Sequence, residues 1–136
     1  MAKVLQDLWI MTEDGITLFS RVTKKTVDEQ LFGALLSALN SFAQEIANEG
    51  LQSFELSDKR FIFLRNNDLF FIGNSERSTK PKKLASAINK ISVRFFERYS
   101  SDMFVNWDGD VSAFTGFEGE IDDVLEPDVE KFLAAL

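Results

Sequence analysis

Two residue types are missing from this chain, and their absence narrows its chemistry before any pattern is read. There is no cysteine, so no disulfide framework, thiolate nucleophile or thiolate metal site exists. There is no histidine either, which removes the commonest general base and the commonest metal ligand. Apolar runs fall far short of the roughly 20 residues that span a bilayer. Met1-Ala2-Lys3 leads straight into a strand-like segment containing Gln6 and Asp7, not into a secretory apolar core. These absences lead us to expect a soluble cytoplasmic protein with no cofactor, no metal and no enzymatic activity.

What is present is a core-forming chain. Forty-five per cent of its 136 residues are hydrophobic, fourteen of them Phe, enough to fill one domain and to exclude a disordered class. The net charge of −7 is uneven. Residues 101–136 hold ten acids and a single base, Lys131, while the first hundred residues are close to neutral. That distribution lacks the clustered basic face of a nucleic-acid binder and reads as a near-neutral body with an acidic C-terminal quarter that favours solubility.

The order of elements is the strongest signal. Val4 to Met11 is apolar on both alternating faces, as in a strand covered on both sides. Thr12-Glu13-Asp14-Gly15 turns the chain into a return strand, Ile16 to Val22. Thr26-Val27-Asp28-Glu29 fits a capping box, and the helix predicted over 27–49 repeats Leu31, Leu35, Leu39, Phe42 and Ile46, flanked by Phe32, Leu36 and Ala43. That stripe is expected to face the sheet, leaving Gln30, Ser37, Asn40 and Gln44 outward. Leu51 to Ser57 alternates as an edge strand does. Arg60–Arg65 and Leu69–Gly73 follow as central strands, then a helix from Pro81 to about Ser100 with Leu84, Ile88, Ile91, Phe95 and Tyr99 inward. Val111 to Phe117 reads as loop or a short extended piece, and Glu118 to Leu125 as a short helix. Beyond Pro127, Val129, Phe132, Leu133 and Leu136 share one helical face, giving a short amphipathic segment that must dock because so few residues make a marginal helix alone. The division expected is a domain over 1–126 and a docking helix over 127–136.

Taken together, the hairpin Leu8-Trp9-Ile10-Met11-Thr12-Glu13-Asp14-Gly15-Ile16-Thr17-Leu18-Phe19, the capped helix, the three-strand meander at 51–73 and the helix at 81–100 resemble the longin-domain family, in particular its small stand-alone members. The resemblance covers roughly Val4 to Leu125. It implies an α/β three-layer sandwich, a five-stranded antiparallel sheet between helices. Related domains occur in adaptor small chains, in TRAPP tethering subunits and in exchange factors for small GTPases. The roadblock relatives begin with an extra helix, whereas this sequence opens directly on the hairpin. Longin SNAREs continue into a long heptad helix and a membrane-attached tail that have no counterpart here, so a SNARE role is not expected. The resemblance implies a non-catalytic scaffold of the vesicle-trafficking kind. Such a protein forms a homodimer, or a heterodimer with another longin- or roadblock-type protein, and binds a small GTPase. Any membrane association would then run through its partners.

Several constellations bear on that expectation. The edge strand presents Ser53, Glu55 and Ser57, and an unpaired edge invites a second strand in an isologous C2 pair. With Gln30, Ser37, Asn40 and Gln44 it makes the expected partner surface. Lys80, Lys82 and Lys83 surround Pro81 at a helix start, where the dipole disfavours positive charge. They are candidate anion contacts, and the acidic segment 118–130 is one source of that anion. Asn106, Asp108 and Asp110 invite a calcium reading, but the loop then has Val111 where Gly is needed and Phe117 where Glu belongs. No G-x-x-x-x-G-K or G-x-G-x-x-G run is present. Two other classes remain: a small-molecule sensor of the PAS or profilin-like kind, requiring a cavity beside the sheet, and a weak membrane-surface protein anchored through 127–136. Glu126, Asp128 and Glu130 oppose the latter on anionic membranes.

Overall fold

The opening hairpin becomes one side of a five-stranded antiparallel sheet. The computed structural model describes residues 5–22, 29–47, 52–56, 58–104, 107 and 109–125. In chain order these form β1 (Asp7–Thr12), β2 (Thr17–Arg21), α1 (Glu29–Ala47), β3 (Ser53–Glu55), β4 (Lys59–Asn66), β5 (Leu69–Glu76) and α2 (Pro81–Arg98). Two 3₁₀ segments, Ser101–Phe104 and Val111–Phe117, and a one-turn helix α3 (Glu118–Ile121) follow. The sheet order is β2-β1-β5-β4-β3. The strands that are apolar on both faces therefore lie inside the sheet, and the plainly alternating one lies at its edge, as their patterns require.

Register sorts the side chains. Trp9 stands opposite Ile72, and Ile72 opposite Phe63, so these three share one face with Met11, Phe61 and Phe70 in a smaller core. Leu8, Ile10 and Phe71 point the other way into the larger core. A bulge between Ile10 and Met11 sends both Leu18 and Phe19 of β2 into that larger core. The β4–β5 turn is tight, with Asn67 and Asp68 both in the left-handed region, a pair of residue types that tolerates it.

Helix α2 covers the larger core with Leu84, Ile88, Ile91 and Phe95 fully buried, the face that its periodicity predicts. The segment after it differs from its sequence reading. Val111–Phe117 is a 3₁₀ helix whose first turn is capped by Asp110, its carboxylate accepting from the Ser112 amide at 2.9 Å. Phe114, Phe117 and Ile121 are fully buried against α2 and β2. Their spacing continues to Val124 and Leu125, a helical signal that the intervening Gly116 and Gly119 obscure. Leu125 forms a single parallel bridge with Leu5. At the same end of the sheet Asp7 and Asn74 are buried and bond reciprocally: the Asp7 amide donates to Asn74 Oδ1 at 2.9 Å, and Asn74 Nδ2 donates to Asp7 Oδ2 at 3.0 Å.

Candidate interaction surface

The main apolar stripe of α1 is reversed relative to its sequence reading, while its flank of Phe32, Leu36 and Ala43 faces the sheet and Gln30 and Gln44 are exposed as expected. The large apolar stripe points outward: Leu31, Leu35, Leu39, Phe42 and Ile46 are 66, 55, 38, 62 and 69% exposed. The sheet-facing side is built from Leu36, Gly33 and Asn40, all buried, with Phe32, Ser37 and Ala43 half-buried. Of the four residues expected to face a partner, Asn40 is buried and Ser37 half-buried. Ser37 Oγ donates to the Glu13 carbonyl at 2.7 Å. Gln30 is exposed but clips the helix to β2, accepting from the Thr17 amide at 3.2 Å and donating to the Thr17 carbonyl at 3.4 Å. Gln44 alone of the four is exposed and has no such tether among the described contacts.

The physical cause of the reversal is steric and polar. Gly33 lies so close to the hairpin turn that a methyl group there would collide with the Gly15 carbonyl oxygen, and Gly15 itself has φ +96°. Only a side without bulk can approach that turn. The Gln30 and Ser37 bonds then fix the helix's rotation, so the stripe has nowhere to go but out. Amphipathicity locates a helix's sticky face but does not say whether that face meets its own sheet or another surface. Ala34, Ala38 and Ser41 are exposed beside the stripe, giving a ridge of large side chains next to a shallow furrow of small ones.

Strand β3 lies at the sheet edge as expected, although it is only three residues long. The Phe63 amide donates to the Gln52 carbonyl, and the Leu56 amide to the Lys59 carbonyl, both at 2.9 Å. By antiparallel alternation the backbone groups of Ser53 and Glu55 then face away from β4. Phe54 stacks on Phe61 with centroids 4.5 Å apart, and Leu56 just beyond is 53% exposed. The Glu55 carboxylate is engaged within the chain by Arg60 at 3.0 Å and Arg77 at 3.2 Å. Its side chain therefore braces the edge while remaining exposed. Ser53 is exposed; Ser57 lies outside the described residues.

On the opposite face of the sheet, the acidic segment meets α2 at arginines. Arg94 holds Asp123 through two bonds of 2.5 and 2.9 Å, and Arg98 donates to Glu120 at 2.6 Å. The Arg94 bond holds the Asp123 carboxyl well below its usual range, to about 2. Lys80, Lys82 and Lys83 are exposed, and none forms an ion pair with an acid among the described residues 118–125. The expected docking of that part of the segment onto these lysines is thus replaced by Arg94 and Arg98. Val129, Phe132, Leu133 and Leu136 lie outside the described residues, as do Asn106 and Asp108.

The space beside the sheet under α2 is filled by rings. Phe95 lies 5.6 Å from Phe71, 5.7 Å from Phe114 and 5.3 Å from Phe117, and Phe117 meets Phe19 at 5.4 Å. An open polar depression of about 490 Å³ lies at the end of the sheet, bordered by Gln6, Asp58, Lys59, Glu76, Arg77 and Ser78. Lys59 Nζ donates to Gln6 Oε1 there at 2.7 Å, so its polar groups are partly satisfied by one another. Among the described residues there is no group of three or more acids placed to hold a metal ion, and no helix is long and apolar enough to cross a membrane.

No family model matches this chain, and no curated protein matches it in sequence. Neither comparison therefore carries the finer assignment to small stand-alone longins. Solved structures do match. Myxococcus xanthus MglB aligns over 71% of this chain and 85% of its own length at 13% identity, with a TM-score of 0.56. MglB with a tetrameric arrangement aligns over 69% of this chain and 76% of its own at 10% identity, with a TM-score of 0.50. A Roadblock/LC7 domain from Streptomyces avermitilis aligns over 68% and 87% at 12% identity, with a TM-score of 0.48. At such identities the likeness is one of architecture: the chain has a longin-like α/β sandwich, the same fold as MglB.

Proposed function

We propose that this protein is a non-catalytic interaction module that self-associates through the outer face of α1 together with the β3 edge, and that the assembled pair is a platform for a further protein. The observation that carries this reading is the exposed stripe of α1. Its five large side chains leave roughly 550–600 Å² of apolar surface in water, at the upper limit of what a soluble monomer shows. With Leu56, the alanine furrow and the outward backbone of Ser53 and Glu55, the patch approaches the ~800 Å² per partner of a standard interface. Its ridge and furrow lie on the same helix, and α1 carries only two acids, so the like-charge repulsion that a second copy meets is small. The longin resemblance adds small GTPases as the class to which such a platform belongs.

The test is sedimentation equilibrium of the full chain beside the double variant Leu35→Glu, Phe42→Glu. Both positions are exposed within one copy, so the variant should fold, while two buried charges on each side of an interface should abolish association. A dimer that becomes a folded monomer supports the reading. A wild-type chain that stays monomeric near 100 µM, or a dimer indifferent to the double variant, sinks it. If the dimer is established, purified small GTPases in GDP- and GTP-bound forms are the next ligands to titrate.

A further inference from the structure

Between Arg77 and Phe96 the chain carries six Lys and Arg residues and no acid, in a protein of net charge −7. Helix α2 occupies most of that stretch, and Leu84, Ile88, Ile91 and Phe95 set its buried side. The side turned away from the core exposes Lys82, Lys83, Ser86, Asn89, Lys90 and Val93, with Lys80 just before the first turn. Seven residues of α-helix return to within about 20° of the same direction. Lys83 and Lys90 therefore form one row and Lys82 and Asn89 another, roughly 100° apart, with Ser86 and Val93 between them. Short side chains floor this strip, and long ones with positive or amide ends stand on both sides. Each row spans roughly 10 Å of the helix.

The two halves of α2 use their bases differently. In the C-terminal half, Arg94 and Arg98 are taken by Asp123 and Glu120 of the same chain. In the N-terminal half, none of Lys80, Lys82, Lys83 and Lys90 forms an ion pair among the described residues, and the first turn contains no acid. The row of Lys83 and Lys90 ends at its next member, Glu97, which is exposed, as are Glu120, Asp122 and Asp123. The positive strip is therefore short and bounded by acids at one end. A membrane surface or a nucleic-acid backbone running along α2 would meet those acids as well as the lysines and be repelled there. A narrow partner that stops short of them meets attraction alone.

We propose that the outer face of α2 over residues 80–93 is a docking surface for an acidic amphipathic helix of a second protein, one with Asp or Glu on both sides of a seam of small or aliphatic side chains. Its carboxylates pair with Lys83 and Lys90 on one side and with Lys82 and Asn89 on the other, and its seam rests on Ser86 and Val93. All of these pairs are exposed, so the affinity is modest and depends on salt. The proposal names the chemistry of the further partner and so rests on the reading of the protein as an interaction platform. It does not rest on self-association, because α1 and α2 pack against separate cores on opposite faces of the sheet.

The test uses a blocked, labelled peptide of three Ala-Glu-Glu-Ala-Ala-Leu-Ala heptads, which as a helix sets two glutamate rows around a leucine seam. A control peptide of the same composition disperses its glutamates around the helix. Fluorescence anisotropy at low salt reads the binding of each to the full chain. The patterned peptide should bind several-fold more tightly than the dispersed one, and its affinity should fall as salt rises. Lys83→Gln and Lys90→Gln should each weaken binding about two- to fivefold, and Lys83→Glu with Lys90→Glu about tenfold or more, as for exposed ion pairs lost or reversed. Arg65→Gln removes one charge on the α1 face, where Arg65 lies over Phe70, and should leave binding unchanged. The Leu35→Glu, Phe42→Glu variant should bind as the wild type does, which keeps this outcome apart from the fate of the self-association reading. Far-ultraviolet dichroism checks that each variant is folded. No binding at up to about 1 mM of the chain, equal affinity for the two peptides, loss of binding in the α1 variant, or an effect of Arg65→Gln equal to that of Lys90→Gln would overturn the proposal. Mixed phosphatidylserine–phosphatidylcholine vesicles or oligothymidylate that displace the peptide with the same lysine dependence would overturn it too, assigning the face to a lipid surface or to nucleic acid.

Discussion

Leu35 and Leu36 are adjacent on α1, and truncating each to Ala separates the observed orientation of the helix from the one its periodicity predicts. Leu36 is fully buried in the smaller core with Trp9, Met11, Phe70 and Ile72. Its loss removes three carbons and leaves a cavity, which costs about 2–5 kcal/mol in comparable sites. With a urea slope of about 2 kcal/mol per molar, the midpoint should fall by about 1–2 M. Leu35 is 55% exposed, so less than half of its side chain has contacts to lose, and within one copy the cost should stay below about 1 kcal/mol. Self-association changes this in a recognisable way, because a partner that binds only the folded form adds stability that grows with concentration. Urea unfolding at about 1 µM and about 100 µM, followed by Trp fluorescence and far-ultraviolet dichroism, distinguishes the two contributions. Leu36→Ala should destabilise by the same amount at both concentrations, and Leu35→Ala should matter chiefly at the higher one. If Leu35→Ala costs as much as Leu36→Ala in dilute solution, the stripe packs on its own sheet and the orientation argued from Gly33, Gln30 and Ser37 is wrong.

Three further outcomes follow from particular contacts. Gly33→Ala should destabilise by about 1–3 kcal/mol, as overpacking against backbone does, measured by chemical unfolding; a neutral result would mean that α1 does not touch the hairpin turn. Asn74→Ala removes both reciprocal bonds to buried Asp7 and should cost about 1–3 kcal/mol, whereas Asn66→Ala, at the far end of the sheet with one long bond of 3.4 Å to Ser92, should cost distinctly less. Asp123→Asn should lower stability at neutral pH, and this deficit should be specific to the ionised carboxylate. Since the folded carboxyl is depressed to about 2 from 3.8, its contribution is complete above about pH 4 and is lost as pH falls through about 2. Wild type and variant should therefore converge across that window in acid-unfolding curves, and a gap that persists below pH 2 would contradict the Arg94 pairing as its cause.

Most of the architecture was legible because it rests on period and order. The twofold apolar strands had to lie inside a sheet, Leu84 to Phe95 had to face it, and the alternating residues around Phe54 had to form an edge. What sequence could not reveal was a contact between two glycines far apart in the chain, Gly15 and Gly33, which decides how α1 is rotated. The stripe on α1 was visible, yet its partner was not, because hydrophobic spacing reports a face and not its neighbour. Ser37 differs from its sequence reading for the complementary reason: a polar side chain that bonds a backbone group looks in sequence like a solvent-facing one. The arginine contacts leave no comparable signal in sequence, because Arg94 and Arg98 stand singly in an otherwise ordinary helix, whereas the lysines cluster at its start.

The brevity of β3 has a consequence for how such a module diversifies. Three edge residues can exchange only a few backbone bonds with another strand, and backbone bonds are indifferent to side-chain identity. They can set alignment but contribute little selectivity. In the pairing proposed above, selectivity would reside in the side chains of α1, on the stripe that is exposed within one copy. Under that proposal, substitutions there would retarget recognition while the edge alignment stays the same, so a duplicated gene could pass from self-recognition to obligate heteromers through a handful of outward-facing changes.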